Sequence, residues 1–233
     1  MGVNKVVGGA DEAVAGVFDG ATIMLGGFGL CGLPENSIAA LIRQGVKGLN
    51  TISNNLGIDG FGMGLMLEAG MIASHVGSYV GENKLLESMV IEGRLRVTLV
   101  PQGTLAECIR AGGAGIPAFF TPTGVGTIVA EGKETREFDG RTFVLERALT
   151  ADFAFVRAWR GDRLGNLVYR KTARNFNPMM ATAARVTIAE VDELVEPGQI
   201  DPDQVMTPGI YVKKIFQGEN YARQIERRTV RKR

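Results

Sequence analysis

Through the first half of the chain, short apolar runs rich in β-branched residues alternate with polar or glycine-rich turns and stretches of helical period. Ala21–Leu25, Leu49–Ser53, Met71–Val76 and Arg96–Val100 read as strands. Helices are predicted from Pro34 to about Gln44, within Asp59–Ala69, across Glu82–Ile91 and from Thr104 to Ala111. Strand and helix alternating at this pitch predict an α/β protein with a mostly parallel open sheet covered by helices. The pattern changes after Gly112. Gly113–Thr127 mixes glycine, proline and threonine without a period and reads as a long loop, whereas Lys133–Phe138 and Arg141–Glu146 alternate about Asp139-Gly140, a strong hairpin signal. Phe153–Ala158 and Val186–Val191 resume the character of buried strands, with a helix near Pro178–Ala184 between them. No internal repeat or low-complexity linker divides residues 1–233, so one domain is expected, with a hairpin-containing subregion at about 113–150.

Composition narrows the class. A chain of 233 residues with 45% hydrophobic content can bury a substantial core. The 26 basic and 25 acidic side chains nearly cancel, which gives no reason to expect nucleic acid or a membrane surface as partner. No run is long and apolar enough to span a bilayer, and Met1–Gly9 lacks the charged-then-apolar layout of a secretory signal. Cys31 and Cys108 are far apart and fit no metal spacing, so reduced thiols in a cytoplasmic protein are expected. Glycine is the outlier: 32 of them imply many tight turns and close backbone approaches.

The densest cluster, Gly26-Gly27-Phe28-Gly29-Leu30-Cys31-Gly32, falls between a predicted strand and a predicted helix, where open parallel sheets form ligand crevices. Its amides and the helix that follows suit an anionic group. Gly27, Gly29 and Gly32 also spell GxGxxG, which admits an NAD-dependent oxidoreductase or a nucleotide-binding regulatory module. Two details oppose a dinucleotide. Pro34 reads as the first residue of a helix placed after the motif, and the acidic residue expected about 20 positions on is replaced by Asn54 and Asn55.

The loop belongs to a larger set of motifs. Asp19-Gly20, Ile23-Met24-Leu25-Gly26-Gly27-Phe28, Gly32 and Pro34, in that spacing, resemble the signature of the first subunit of family I CoA-transferases. The likeness continues through Ser53-Asn54-Asn55-Leu56-Gly57, Ser78-Tyr79-Val80-Gly81-Glu82-Asn83, Pro101-Gln102-Gly103-Thr104-Leu105-Ala106-Glu107, Arg110–Gly115, Thr121-Pro122-Thr123-Gly124 and Ala173-Arg174-Asn175-Phe176-Asn177. Ile225-Glu226-Arg227 looks like the succinyl-CoA:3-oxoacid members. The resemblance implies a CoA-transferase fold shared with a second subunit, with an active site between the two, and transfer of CoA from succinyl-CoA to a 3-oxoacid such as acetoacetate. It further implies a heterodimer or heterotetramer in which the partner carries the nucleophilic glutamate in a Ser-Glu-Asn-Gly motif. No metal or permanently bound cofactor is expected; CoA is a substrate and carrier.

The residues agree with that division. Glu82-Asn83 and Glu219-Asn220 do not match the nucleophile motif, and Glu82 reads as the start of a helix. Asn54, Asn55 and Gln102 fall where strands end and offer neutral amide donors for an oxyanion or an acyl carboxylate; turn capping is the plainer alternative. The resemblance places all three at the substrate end of the cleft. Glu35 suits a first helical turn, His75 a buried or edge strand position, and Cys31 a small packing site. Arg174 suits either an anion or an internal salt bridge. The tail from Arg223 to Arg233, with six basic residues, reads as a solvated end with an acidic partner surface as the alternative.

Overall fold

The computed structural model describes residues 3–224, so Ile225-Glu226-Arg227 and most of the basic tail lie outside the described residues. A short helix α1 (Ala10–Val14) precedes the first strand. The strands β1 (Thr22–Leu25), β2 (Leu49–Ile52), β3 (Ile72–Gly77) and β4 (Arg96–Leu99) then alternate with helices. These are α2 (Glu35–Gln44), α3 (Met63–Glu68), α4 (Lys84–Ile91) and, after β4, α5 (Gln102–Gly113). Boundaries differ from expectation where capping decides them. Pro34 is the N-cap of α2 rather than its first residue. Glu82 does not begin α4: it has a left-handed backbone at φ 64°, and Asn83 caps the helix by accepting from Leu86 N–H. Helix α5 starts two residues earlier than its apolar pattern suggests, which puts Gln102 in its first turn.

The segment read as a loop contains a strand. β5 (Ala118–Thr121) pairs antiparallel with β7 (Arg141–Arg147), whose other edge takes β6 (Thr135–Phe138), giving a three-stranded sheet. The predicted hairpin is present, with Asp139 and Gly140 at φ 49° and 74°, as a two-residue turn with both centres left-handed requires. The chain returns through the long strands β8 (Ala151–Asp162) and β10 (Ala184–Val195), with the short strand β9 (Leu167–Val168) and helix α6 (Asn177–Thr182) between them, and ends on β11 (Val212–Gln217).

The main sheet runs β11-β10-β8-β1-β2-β3-β4, parallel throughout, with β9 pairing antiparallel to the end of β8. Helices cover both faces, which explains the continuous apolar runs. On β1, Ile23 and Leu25 enter one core with Leu41, Phe155 and Phe216, while Met24 enters the other with Ile52, Ile109 and Met180. The chain leaves β1 toward β2 on one side and later fills β8 on the other. A crevice opens at such a switch point, beyond the carboxyl ends of the strands.

Candidate active site

The segments leaving β1, β2 and β3 and the first turn of α5 enclose a cleft of about 390 Å3, lined among others by Gly29, Asn54, Asn55, Tyr79, Glu82 and Gln102. Three of the sequence-predicted residues join in one hydrogen-bonded row. Gln102 Nε2 donates to Asn54 Oδ1 at 2.6 Å, Asn54 Nδ2 donates to Asn55 Oδ1 at 3.0 Å, and Gly29 N–H donates to the same Asn55 oxygen at 3.0 Å. The direction of this row is fixed from one end. A backbone N–H only donates, so Asn55 must turn its oxygen toward Gly29; Asn54 must then donate to Asn55, and Gln102 to Asn54. Asn54 and Asn55 are buried, while Gln102 is exposed at the rim. Phe28 and Tyr79, each about half exposed at 50% and 49%, flank the opening.

Within Gly26–Gly32, Phe28 and Cys31 exchange backbone hydrogen bonds at 3.1 and 3.0 Å. Gly29, at φ 56°, takes the first central position of that tight turn. The other glycines answer to the protein itself. A Cβ on Gly26 would collide with Asn177 Oδ1, one on Gly27 would lie 2.5 Å from Leu33 Cδ2, and one on Gly32 2.9 Å from Ala173 O. Asn177 is fully buried, accepts from Arg157 N–H at 2.9 Å and donates to Gly32 O and Ala173 O. Asn175 donates to Cys31 O at 3.0 Å. The segment Ala173–Asn177 therefore braces the glycine loop, a function its sequence does not announce. Phe28 and Gly29 face the cleft, whereas Leu30, Cys31 and Gly32 border a second cavity of about 260 Å3.

The remaining candidates separate from the cleft. Glu35 bridges Arg157 at 3.1 Å and accepts from the backbone of Ala222 and Arg223; Arg157 also pairs with Asp192 at 3.0 Å and stacks on Tyr221, 3.5 Å from the ring centre. Glu190, fully buried on β10, accepts from Asn36 N–H, Ser37 N–H and the Ser37 hydroxyl, supplying the cap that Pro34 cannot. Its burial raises the carboxyl's pKa, and the Ser37 and Asn36 donors oppose that shift. His75 is a core residue at 1% exposure, and burial pushes its pKa down to about 3, so it is neutral and no base for this cleft. Cys31 Sγ lies 3.4 Å from the Thr172 hydroxyl. Arg174 is exposed and makes no ion pair with a described residue. Glu219 ties its backbone to Asn36. Glu82 remains, an exposed carboxylate on the rim of the cleft. Among the described residues no group of three or more His, Cys, Asp or Glu side chains is placed to hold a metal ion, and no helix is long and apolar enough to cross a membrane.

Residues 8–218 match the family described as Coenzyme A transferase. The chain belongs to that family. It is 54% identical over 229 residues to the first subunit of the succinyl-CoA:3-ketoacid coenzyme A transferase of Helicobacter pylori, covering 98% of this chain and 99% of the relative. It is 60% identical over 223 residues to the protein of the same name from Xanthomonas campestris, covering 95% and 92%. The acyl-CoA transferase YdiF of Escherichia coli O157:H7, a solved structure, superposes with a TM-score of 0.84 at 21% identity, a likeness of fold. The alignment takes in 94% of this chain and 48% of that one, so the CoA-transferase chain spans about half the length of that structural relative. These relatives give no support to an oxidoreductase or a nucleotide sensor, and the GxGxxG spacing is accounted for by the packing of Gly27 and Gly32 and the turn at Gly29.

Proposed function

We propose that this chain is the first of two kinds of subunit in a heteromeric 3-oxoacid CoA-transferase, which moves CoA from succinyl-CoA to a 3-oxoacid such as acetoacetate. The observation that carries the reading is identity of 54% and 60%, over nearly the whole chain, to proteins named as that subunit. In the proposed cycle a glutamate of the partner subunit, in a Ser-Glu-Asn-Gly motif, attacks the thioester carbonyl and expels CoA thiolate. The thiolate then attacks the resulting anhydride at the glutamyl carbonyl, releasing succinate and leaving a glutamyl-CoA thioester. The 3-oxoacid carboxylate reverses these steps and departs as its CoA thioester.

This chain's contribution is electrostatic. Gln102 and Asn54, held in orientation by the row that ends on Gly29, supply neutral donors for the oxygen that gains charge as the thioester is attacked. Asn55 spends its oxygen on Gly29 and Asn54 and so positions the loop against the cleft. A pre-set amide does not titrate and needs no reorganisation when charge develops, which suits an oxyanion contact better than a mobile lysine would. We place the enzyme in the cytoplasm, in keeping with two unpaired cysteines. Reconstitution tests the reading: the purified chain alone should show no CoA transfer from succinyl-CoA to acetoacetate, and adding its partner should restore it. Turnover by the isolated chain, shown by mass spectrometry to be free of partner, would contradict it.

A further inference from the structure

The three-stranded sheet outside the main core has two unlike faces. On β7, Thr142, Val144 and Glu146 point one way, and Val144 and Glu146 are the only buried residues between Ala118 and Arg147. Arg141, Phe143, Leu145 and Arg147 point the other way, and register adds Phe120 opposite Leu145, Arg136 opposite Phe143 and Phe138 opposite Arg141. This outer face is aromatic and cationic. Phe138, 42% exposed, packs edge-on against Phe120 at 5.5 Å and Phe143 at 5.4 Å. Arg136 lies 5.0 Å over Phe120 and Arg141 5.7 Å over Phe143. Its one carboxylate, Glu134, is spent on Arg136 at 3.2 Å, while Arg141 and Arg147 make no ion pair with a described residue.

We infer that this face docks an acidic, partly apolar surface of the partner subunit; the inference rests on the heteromer proposed for this chain. A sheet needs a buried face, and two buried side chains are too few to hold three strands in a defined place. Phenylalanine with arginine on an exposed face is the composition of interface anchors, not of an ordinary solvated surface. Charge selects the occupant. Two copies of this face meeting symmetrically would set Arg141 and Arg147, which make no ion pair with a described residue, against the same two guanidiniums, so its counter-charges come from a different chain.

The test uses the chain with its partner subunit, comparing wild type with a double variant, Phe138→Ser with Arg141→Glu, and with Arg141→Lys. The isolated double variant should stay folded and melt only slightly below wild type, because it loses the edge-on contacts of Phe138 and the Arg141 stack while neither side chain belongs to a main core. Its heteromer should dissociate at least about tenfold more readily. Wild-type assembly should weaken with added salt more steeply than the variant's, and Arg141→Lys should retain most of the affinity. Amide exchange in residues 135–147 of the wild type should slow when the partner is added, a measurement that stands even if the double variant fails to fold. Unchanged affinity and salt dependence, or no change in exchange where a heteromer forms, would overturn the docking face and leave the heteromer standing. Loss of a self-associated form with the heteromer intact would assign the face to a second copy and also overturn the inference. A wild-type chain that binds no partner would instead overturn the heteromer itself.

Discussion

Replacing Gln102 tests whether the amide row acts in the reaction or merely caps a turn. Gln102→Ala deletes the donor 2.6 Å from Asn54 Oδ1 and leaves that oxygen at the edge of a cleft where water can reach it. Because Gln102 is exposed, the folding cost should stay at or below about 1 kcal/mol, the scale of one hydrogen bond. If Gln102 stabilises charge in the transition state, kcat/KM should fall by about 10- to 1000-fold, or about 1.4–4 kcal/mol. Gln102→Glu sharpens the argument, since it keeps size and removes the donor. A carboxylate facing Asn54 Oδ1 invites Asn54 to flip, but a flipped Asn54 would set its oxygen against Asn55 Oδ1, which Gly29 N–H holds in place. The row has no satisfied alternative, so the glutamate variant should lose at least as much rate as the alanine one. Steady-state kinetics of the reconstituted enzyme, with melting curves of each variant, reads both quantities. Wild-type kcat/KM in either variant would return Gln102 to turn capping.

Gly26→Ala should destabilise the chain by about 3 kcal/mol, from overpacking and displacement of Asn177's hydrogen bonds. Adding Asn177→Ala should cost less than the sum of the two changes, by about 1 kcal/mol or more in denaturant unfolding; strict additivity would refute the brace. His75 makes stability depend on pH with a definite sign. Its folded pKa, about 3, lies below the ordinary 6.5, so the unfolded chain takes up the proton first and stability falls as pH drops between those values. The loss attributable to His75 steepens toward about 1.4 kcal/mol per pH unit below pH 6.5 and comes to about 1.6 kcal/mol from pH 6.5 to 5. Urea unfolding of wild type and His75→Gln should differ in slope over that window, and parallel slopes would show that the imidazole is not held neutral.

Much of this architecture is legible because strands buried on both faces write themselves as apolar runs, plainest in residues 23–25 of β1 and 153–156 of β8, while β2 and β3 are read from Leu49, Ile52, Ile72 and Val76 around the polar Asn50, Thr51, Ser74 and His75. The failures have physical causes. β11 carries Lys213 and Lys214 in its middle, yet Val212, Ile215 and Phe216 are buried while Lys214 Nζ reaches the carbonyls of Glu12 and Ala13 at the end of α1. β5 is only four residues long, half buried and follows Pro117; Ala118-Phe119-Phe120 is apolar but does not alternate, and the glycines, prolines and threonines on either side hide it. β9 is two residues long and exists through its pairing with β8. The site is legible in its parts: Asn54, Asn55 and Gln102 stand out as amides near strand ends. Their order of donation is not, because it depends on Gly29 and spans 48 residues between Asn54 and Gln102. The brace at Asn177 and the Glu35–Arg157–Asp192 cluster join positions more than a hundred residues apart, and no local pattern encodes them.

In the proposed enzyme the labour is divided: this chain provides amide donors and its partner the nucleophile. Incubating the assembled enzyme with succinyl-CoA and no acceptor should accumulate an enzyme-bound CoA thioester, which borohydride reduces to a permanent mark on one peptide. Glu82 makes the test stringent, because it is a carboxylate of this chain on the rim of the cleft. The reduced glutamate should lie on a peptide of the partner subunit, with the peptides bearing Glu35, Glu82 and Glu107 unmodified. A reduced glutamate on this chain, at Glu82 above all, would contradict that division.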